Sequence, residues 1–147
     1  MSQRYDFYYP LRVRYVEVDA QGHVFFSHYL TYFDVGLIEY TRAIGYPYPE
    51  MVASGVDMFY AKASCQYRGR AHFDDLLHVH TRIGSIGNTS FTFEFAIYRQ
   101  PSEELIATGE IVAVAVDTET ERPVRVPDEL REAVARFESN PPTEGSA

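Results

Sequence analysis

The chain has 147 residues, 46% of them hydrophobic, which is typical of one globular domain with a full apolar core. Thirteen basic and 21 acidic residues give a net charge of −8, which argues against a protein that binds nucleic acid through a basic face. A single cysteine, Cys65, excludes a disulfide framework and a cysteine metal cluster. No apolar run reaches the ~20 residues of a membrane span, and MSQRYDFYYP lacks the apolar centre of a signal peptide, so we expect a cytoplasmic protein.

The first third of the chain predicts one strand followed by one long helix. Alternating apolar residues predict a strand over residues 8–18. Apolar residues at helical spacing predict a helix over 28–44, with Ser27 as its N-cap residue and Gly45 directly after its end. This helix is rich in aromatic residues and contains Gly36 at its middle. A glycine there costs about 1 kcal/mol relative to alanine, so it indicates close contact with a curved sheet.

The rest of the chain has a β pattern. A proline-rich turn at 46–57, with one helical turn in it, precedes four strands joined by short hairpin turns. The strands are predicted over residues 58–68, 75–86, 88–99 and 105–116. A closing amphipathic helix is predicted within 127–138, and the polar tail 139–147 is expected to be disordered. This order of elements predicts an α+β protein with one antiparallel sheet laid on the long helix, as one domain over 1–138.

An acidic residue stands at the junction of the first strand and the helix. If the loop 20–26 brings Asp19 beside the unpaired N–H groups of the first helical turn, those groups can hold an oxyanion and the carboxylate can act as nucleophile or general base. Glu17 and Tyr15 precede Asp19 on the same predicted strand face, and a second carboxylate there would raise the pKa of one of the two. An Asp-x-x-Gly turn in which Asp19 only caps the loop fits equally well, and the pattern leaves both interpretations open.

Basic residues are concentrated in one stretch of this acidic chain. Residues 61–72 contain Lys62, Arg68 and Arg70 and no acid. A locally basic segment is a candidate site for an anionic ligand, and a solvated strand edge is the alternative.

The sequence resembles a known enzyme family over residues 8–138. VRYVEVDAQGHVFFSHYLTYFD is similar to the opening signature of the hotdog-fold acyl-CoA thioesterases of the 4-hydroxybenzoyl-CoA thioesterase type. CQYRGRAHFDDLLHVHTRI, GNTSFTFEFAIYR and ATGEIVAVAVDTETERPVRVPDEL resemble the later strands of that family and the segment after them. The resemblance implies a hotdog fold, in which an antiparallel sheet of five strands or similar wraps around one long central helix. It also implies an acyl-CoA substrate, no cofactor or metal, and a homodimer or homotetramer.

The same resemblance implies roles for individual residues. Asp19 matches the catalytic aspartate, which attacks the thioester carbonyl or activates water for that attack. The backbone N–H of Phe26 matches the oxyanion donor, and Gly22 matches the glycine of the tight loop. Tyr15 and Tyr29 stand where the family often has tyrosine.

Two positions depart from the family pattern. Phe26 stands where the thioesterases associated with the Tol–Pal system have a histidine, which argues against that subgroup, and Gly69 replaces a family proline. Because coenzyme A carries phosphates, the three cations of residues 61–72 become its candidate contacts. The acyl pocket is expected to be lined by Phe25, Tyr29, Tyr32, Phe33 and Phe59.

The histidines are expected to have structural roles. His23 and His28 lie near Asp19 in the sequence, and we interpret both as packing or hydrogen-bonding residues. His78 and His80 share a strand face, a weak metal signal, and we expect them to face solvent. Cys65 is expected to be a small core residue.

Three other functions are compatible with parts of the sequence. A non-catalytic acyl-CoA-binding or sensing module would keep the cleft without needing Asp19. A thioesterase acting on acyl-carrier protein would need a larger basic surface than a net charge of −8 suggests. A hydroxyacyl dehydratase needs a histidine in an H-x-x-x-G-x-x-x-x-P setting, which His23 lacks.

Overall fold

The computed structural model describes residues 4–144 of the chain. The predicted elements occur in the predicted order, with a short 3₁₀ helix before the long α-helix and a two-residue strand after the closing helix. The elements are β1 (Tyr8–Arg12), the 3₁₀ helix (Tyr15–Glu17), α1 (His28–Ala43), α2 (Tyr48–Ala53), β2 (Val56–Tyr67), β3 (Leu76–Ile86), β4 (Ser90–Gln100), β5 (Glu104–Asp117), α3 (Asp128–Phe137) and β6 (Thr143–Glu144). Within residues 4–144, no helix has the length and apolar character needed to cross a membrane.

One sheet with the strand order β1–β3–β4–β5–β2 forms the frame of the molecule, and these neighbours all run antiparallel. Strands β2 to β5 begin and end within two residues of their predicted bounds. The proline-rich segment before β2 contains the single short helix α2, as expected. The prediction of an α+β hotdog fold, with one antiparallel sheet wrapped around a long helix, is confirmed.

Helix α1 lies against one face of the sheet and supplies the centre of the core. Tyr32, Phe33 and Leu37 on its inner side are at most 1% exposed. Phe33 stacks on Phe95 of β4, with ring centroids 4.5 Å apart. Burial of a large apolar side chain stabilises a fold by roughly 1.5–3 kcal/mol, so this aromatic face fixes the helix on the sheet.

The glycine at the middle of α1 allows that close packing. A Cβ atom added at Gly36 would lie 2.7 Å from both Val79 Cγ1 and Thr81 Oγ1 of β3. This distance is well inside van der Waals contact, so a larger residue would push the helix away from the sheet. The predicted close approach of helix and sheet at this glycine is confirmed.

The first strand is shorter than predicted. β1 ends at Arg12, and Tyr15–Glu17 form the 3₁₀ helix. The reason is a set of hydrogen bonds that turns Glu17 inward: its carboxylate accepts the Arg14 backbone N–H at 2.9 Å and the Tyr32 hydroxyl at 2.9 Å. The prediction that Tyr15, Glu17 and Asp19 share one strand face is therefore wrong.

The C-terminal segment makes contacts as far as Glu144. Ser139 donates its N–H to the Asp6 carboxylate at 2.9 Å. Arg131 of α3 pairs with Glu144 at 2.6 Å, beside the parallel pairing of β6 with the end of β3. The tail 139–147 was expected to be disordered, and this expectation is wrong as far as residue 144. Residues 145–147 lie outside the described residues.

Candidate active site

A cleft of about 490 Å³ opens between the entrance of α1 and the segment that follows β2. One wall is the loop between the 3₁₀ helix and α1, and the other is the chain that leaves the sheet after Tyr67. Six of the residues predicted for the site line this cleft. They are Asp19, His23, Phe26, Tyr29, Arg68 and Arg70.

The Asp19 loop is a tight turn closed by its own backbone. The Gly22 N–H donates to the Asp19 carbonyl at 2.9 Å, and the Asp19 N–H donates to the His23 carbonyl at 3.0 Å. Gly22 has φ +86°, in the left-handed region that favours glycine, as the resemblance implied. The loop is joined to the opposite wall of the cleft, because the Val24 N–H donates to the Ala71 carbonyl at 2.8 Å.

The Asp19 carboxylate makes the capping contact of the turn, and Asp19 also lines the cleft. Oδ1 accepts the Gln21 N–H at 2.8 Å, which is the capping bond of an Asp-x-x-Gly turn. Oδ2 accepts no hydrogen bond from residues 4–144. The turn therefore fixes the carboxylate through one oxygen and leaves the other available to the half-open cleft.

The entrance of α1 has two unpaired backbone donors, and one of them belongs to Phe26, which lines the cleft. The N–H groups of Phe26 and Ser27 donate to no acceptor in the described part of the chain. Ser27 occupies the N-cap position as predicted, but its hydroxyl makes no capping hydrogen bond. Unpaired N–H groups at a helix N-terminus carry a partial positive charge, so this end of α1 can accept an anion or a polarised carbonyl oxygen.

The opposite wall is basic. Arg68 and Arg70 are exposed, and neither forms an ion pair with any residue in the described range. The backbone beneath them is held firmly, since Arg99 donates to the Arg70 carbonyl at 2.7 Å and Gly69 donates its N–H to the Ile106 carbonyl at 3.0 Å. A proline has no N–H to donate, which gives a physical reason for a residue other than proline at this position.

Five residues predicted for the site do not line the cleft. Gly22 and His28 belong to the loop and to the start of α1, and Tyr15, Glu17 and Lys62 lie elsewhere. Tyr15 is 77% exposed and packs edge-on against Phe73, outside the cleft lining. Glu17 is buried beneath the loop. Burial raises the pKa of Glu17, but the hydrogen bonds from Arg14 and Tyr32 outweigh that effect and lower it, so Glu17 does not have the raised pKa expected of a paired carboxylate. Lys62 lines a separate cavity that also contains Glu94 and Glu110.

The expected acyl pocket is brought together only in part. Phe25 and Tyr29 line the cleft. Tyr32 and Phe33 are buried in the core beneath it, and Phe59 lies 63% exposed on β2, in a different cavity. Aromatic residues of the core and of a pocket have the same spacing in a helix, so the sequence alone does not separate them.

The histidines make few polar contacts. His23 lies with Nδ1 3.4 Å from the Val24 carbonyl, and the His28 ring lies 6.2 Å from that of Phe25 without a side-chain hydrogen bond to the described residues. His78 and His80 are half-buried, with His78 stacked on Tyr8 at 4.1 Å, so the expectation that they face solvent is wrong. No group of three or more His, Cys, Asp or Glu side chains suited to a metal ion occurs within residues 4–144.

Tyr67 lines the cleft and, like Gln21 and Val24, was not predicted for the site. Its hydroxyl donates to the Phe26 carbonyl at 2.9 Å, across the cleft from β2 to the entrance of α1. Its ring packs edge-on against that of Tyr29, with centroids 5.3 Å apart. The available signal was its position directly before Arg68, since neighbours of a binding residue at a strand end often line the same cleft.

Comparisons with known proteins agree with this architecture. The profile of the thioesterase-like superfamily matches residues 13–134. The acyl-CoA thioester hydrolase YbgC of Escherichia coli is 28% identical over 131 residues, 89% of this chain and 95% of that protein. The acyl-CoA thioesterase YbgC of Haemophilus influenzae is 27% identical over 128 residues, 86% of this chain and 93% of that protein. The crystal structure of the PA5185 protein from Pseudomonas aeruginosa superimposes with a TM-score of 0.83 at 28% identity, covering 94% of this chain and 95% of that one. The chain therefore belongs to the thioesterase-like superfamily.

Proposed function

We propose that this protein hydrolyses acyl-CoA thioesters, with Asp19 as nucleophile or general base. The observation that carries the proposal is the position of the Asp19 carboxylate in the same cleft as the unpaired Phe26 N–H at the positive end of α1. A carboxylate and an oxyanion donor facing one space are the two groups that attack on a thioester carbonyl requires. The names of the two relatives, both acyl-CoA thioester hydrolases, support the choice of substrate.

In the proposed reaction, the thioester carbonyl oxygen accepts the Phe26 N–H. Negative charge develops on that oxygen during attack, and the end of the α1 dipole stabilises it. In one route, an Asp19 oxygen bonds to the carbonyl carbon, the C–S bond breaks to release CoA thiolate, and water then cleaves the mixed anhydride. In the other route, Asp19 removes a proton from a water molecule as its oxygen bonds to the carbonyl carbon; the C–S bond then breaks, and the proton passes to the departing CoA thiolate. Both routes yield the free acid and CoA.

The basic wall provides the proposed contacts for the phosphates of coenzyme A. Arg68 and Arg70 are the cations of the cleft lining, and no carboxylate in the described range neutralises them. In a chain of net charge −8, two unpaired arginines beside the cleft favour an anionic ligand of small size over an acidic carrier protein. Lys62, in its separate cavity, is not part of this proposal for the single chain.

A homodimer is the proposed assembly, on the basis of the edge strand β2, and a tetramer of two such dimers is compatible with the same contact. A cytoplasmic location stays a prediction.

The test is steady-state hydrolysis of a panel of short aliphatic and aromatic acyl-CoA thioesters by the wild type and by Asp19→Asn. Asparagine keeps the side-chain oxygen that accepts the Gln21 N–H, so the turn should remain. We expect kcat to fall by about 100-fold or more, which is the usual effect of removing a general base or nucleophile. Asp74→Asn, at another exposed loop carboxylate outside the cleft, is the matched control and should retain full activity.

The outcomes separate the candidate functions. Turnover by Asp19→Asn within a few-fold of the wild type would contradict the role of Asp19. A folded wild type that binds acyl-CoA saturably without turnover would show that the protein is a non-catalytic binding module.

A further inference from the structure

We propose that Tyr67 is a positioning residue for the oxyanion donor, an inference that rests on the proposed thioesterase function. Its hydroxyl holds the carbonyl of Phe26, the same residue whose N–H is proposed to bind the thioester oxygen. Through that bond, strand β2 fixes the orientation of the α1 entrance in the cleft. Tyr67 acts on the reaction through the Phe26 backbone and makes no proposed contact with the reacting atoms.

The entrance of α1 has one short backbone hydrogen bond, from the His28 N–H to the Phe25 carbonyl at 2.9 Å, and the two that follow it are longer. The Tyr29 N–H reaches the Phe26 carbonyl at 3.4 Å, and the Leu30 N–H reaches the Ser27 carbonyl at 3.2 Å. The Ser27 hydroxyl adds no capping bond. The bond from Tyr67 to the Phe26 carbonyl, at 2.9 Å, is shorter than either of these backbone bonds. Without it, the Phe26 carbonyl would keep only the long bond from the Tyr29 N–H, and the ends of helices fray where such bonds are weak.

A second hydrogen bond runs across the cleft beside the first. The Ala71 N–H donates to the Tyr29 hydroxyl oxygen at 3.2 Å, so the start of α1 is joined both to the end of β2 and to the segment after it. The rings of Tyr29 and Tyr67, one from each bond, are also in edge-on contact. We call these two bonds, Tyr67 to Phe26 and Ala71 to Tyr29, the tyrosine clasp. The clasp sets the distance between the donor wall and the basic wall of the cleft.

Loss of the Tyr67 hydroxyl is expected to lower kcat and to leave KM nearly unchanged. Small misplacement of a group that acts in the transition state lowers the rate strongly, while binding of the rest of the substrate is little affected. Because Tyr67→Phe keeps the ring, the lining of the cleft and the contact with Tyr29 remain. We expect kcat to fall about tenfold, consistent with the loss of one hydrogen bond that orients a catalytic donor, and KM for acyl-CoA to stay within about twofold.

The experiment compares Tyr67→Phe with Tyr48→Phe. Tyr48 donates its hydroxyl to Asp57 at 2.6 Å, away from the cleft, so this control removes a hydroxyl bond of the same kind and should leave kcat unchanged. Both variants are first checked for a cooperative thermal transition above the assay temperature. A kcat for Tyr67→Phe within twofold of the wild type, or a rise in KM at unchanged kcat, would overturn the inference.

A spectroscopic measurement tests the same inference without turnover. The carbonyl stretching band of a bound ketone analogue of acyl-CoA, which has no thioester to cleave, reports the strength of the hydrogen bond to its oxygen. We expect the band to shift toward its frequency in free solution in Tyr67→Phe and to stay in place in Tyr48→Phe. An unchanged band in Tyr67→Phe overturns the inference even if the wild type is inactive, and absence of any binding by the wild type overturns both proposals. Normal hydrolysis by the wild type with an unchanged band overturns the role of Tyr67 alone.

Discussion

Arg68 and Arg70 give a direct test of which part of the substrate the basic wall contacts. Changing both to Glu reverses the charge of that wall, so we expect KM for acyl-CoA to rise about tenfold or more through lost attraction and new repulsion of the phosphates. The same change should leave the KM for an acyl thioester of N-acetylcysteamine, which lacks the phosphates, nearly unchanged. Steady-state kinetics with both substrates checks this.

The control for net charge is Arg122→Glu with Arg136→Glu, two exposed arginines outside the cleft. If the cleft variant has an unchanged KM for acyl-CoA, or an equal rise for both substrates, the phosphate contacts lie elsewhere.

The positions of single residues could be predicted where local geometry decides them. The turn glycine Gly22 and the carboxylate Asp19 belong to one short segment, so their sequence spacing already indicates a tight loop before a helix. Glu17 was misplaced because its direction depends on Tyr32, which lies 15 positions further along the chain. Tyr67 was missed for the same reason, since its hydrogen-bond partner Phe26 is 41 positions away. Alternation along a strand carries no information about such distant partners.

Gly36 is the position of α1 at which a substitution has the clearest predicted effect on stability, because α1 contacts β3 there. In an isolated helix, Gly36→Ala would be favourable by about 1 kcal/mol. Here the new Cβ would lie 2.7 Å from side chains of two buried residues of β3, and overpacking of a core typically destabilises by about 1–3 kcal/mol. We therefore expect a lower free energy of unfolding, measured by urea denaturation. Thr31→Ala, at an exposed position of the same helix, is the control and should be neutral or slightly stabilising. A Gly36→Ala protein at least as stable as the wild type would show that the helix can move away from the sheet without loss.

Elements with a strong repeat were predicted well, and those fixed by distant contacts were not. Strands β3 to β5 alternate over ten or more residues, and α1 keeps helical spacing over its length, so their existence and approximate ends follow from the sequence. The two-residue strand β6 has no pattern of its own. It forms beside β3 where Arg131 of the closing helix binds Glu144, a pairing that only the folded chain creates.

At the scale of the whole molecule, the two edges of the sheet differ. β1 is five residues long, contains Pro10 and has Arg12 at its end, features that protect a sheet edge from further pairing. β2 is twelve residues long, and residues 59–63 are exposed without interruption, with Lys62 as their one charge. A long, apolar and unpaired edge of this kind is suited to pairing with another strand.

We therefore expect two copies of the chain to associate through β2, giving a particle of about twice 16.9 kDa in sedimentation equilibrium at micromolar concentration. Phe59→Glu places a charge at the 63% exposed aromatic position of that edge, and on both copies, so it should shift the mass toward the monomer. Tyr8→Glu is the matched change on the opposite edge, at a residue 48% exposed, and should leave the mass unchanged. A monomeric wild type, or a Phe59→Glu variant that associates as tightly as the wild type, would contradict assembly through β2.

The cleft begins where β2 ends, at Tyr67, so a partner on that strand would also lie beside the basic wall. We therefore expect the dimer contact and the binding of coenzyme A to be linked.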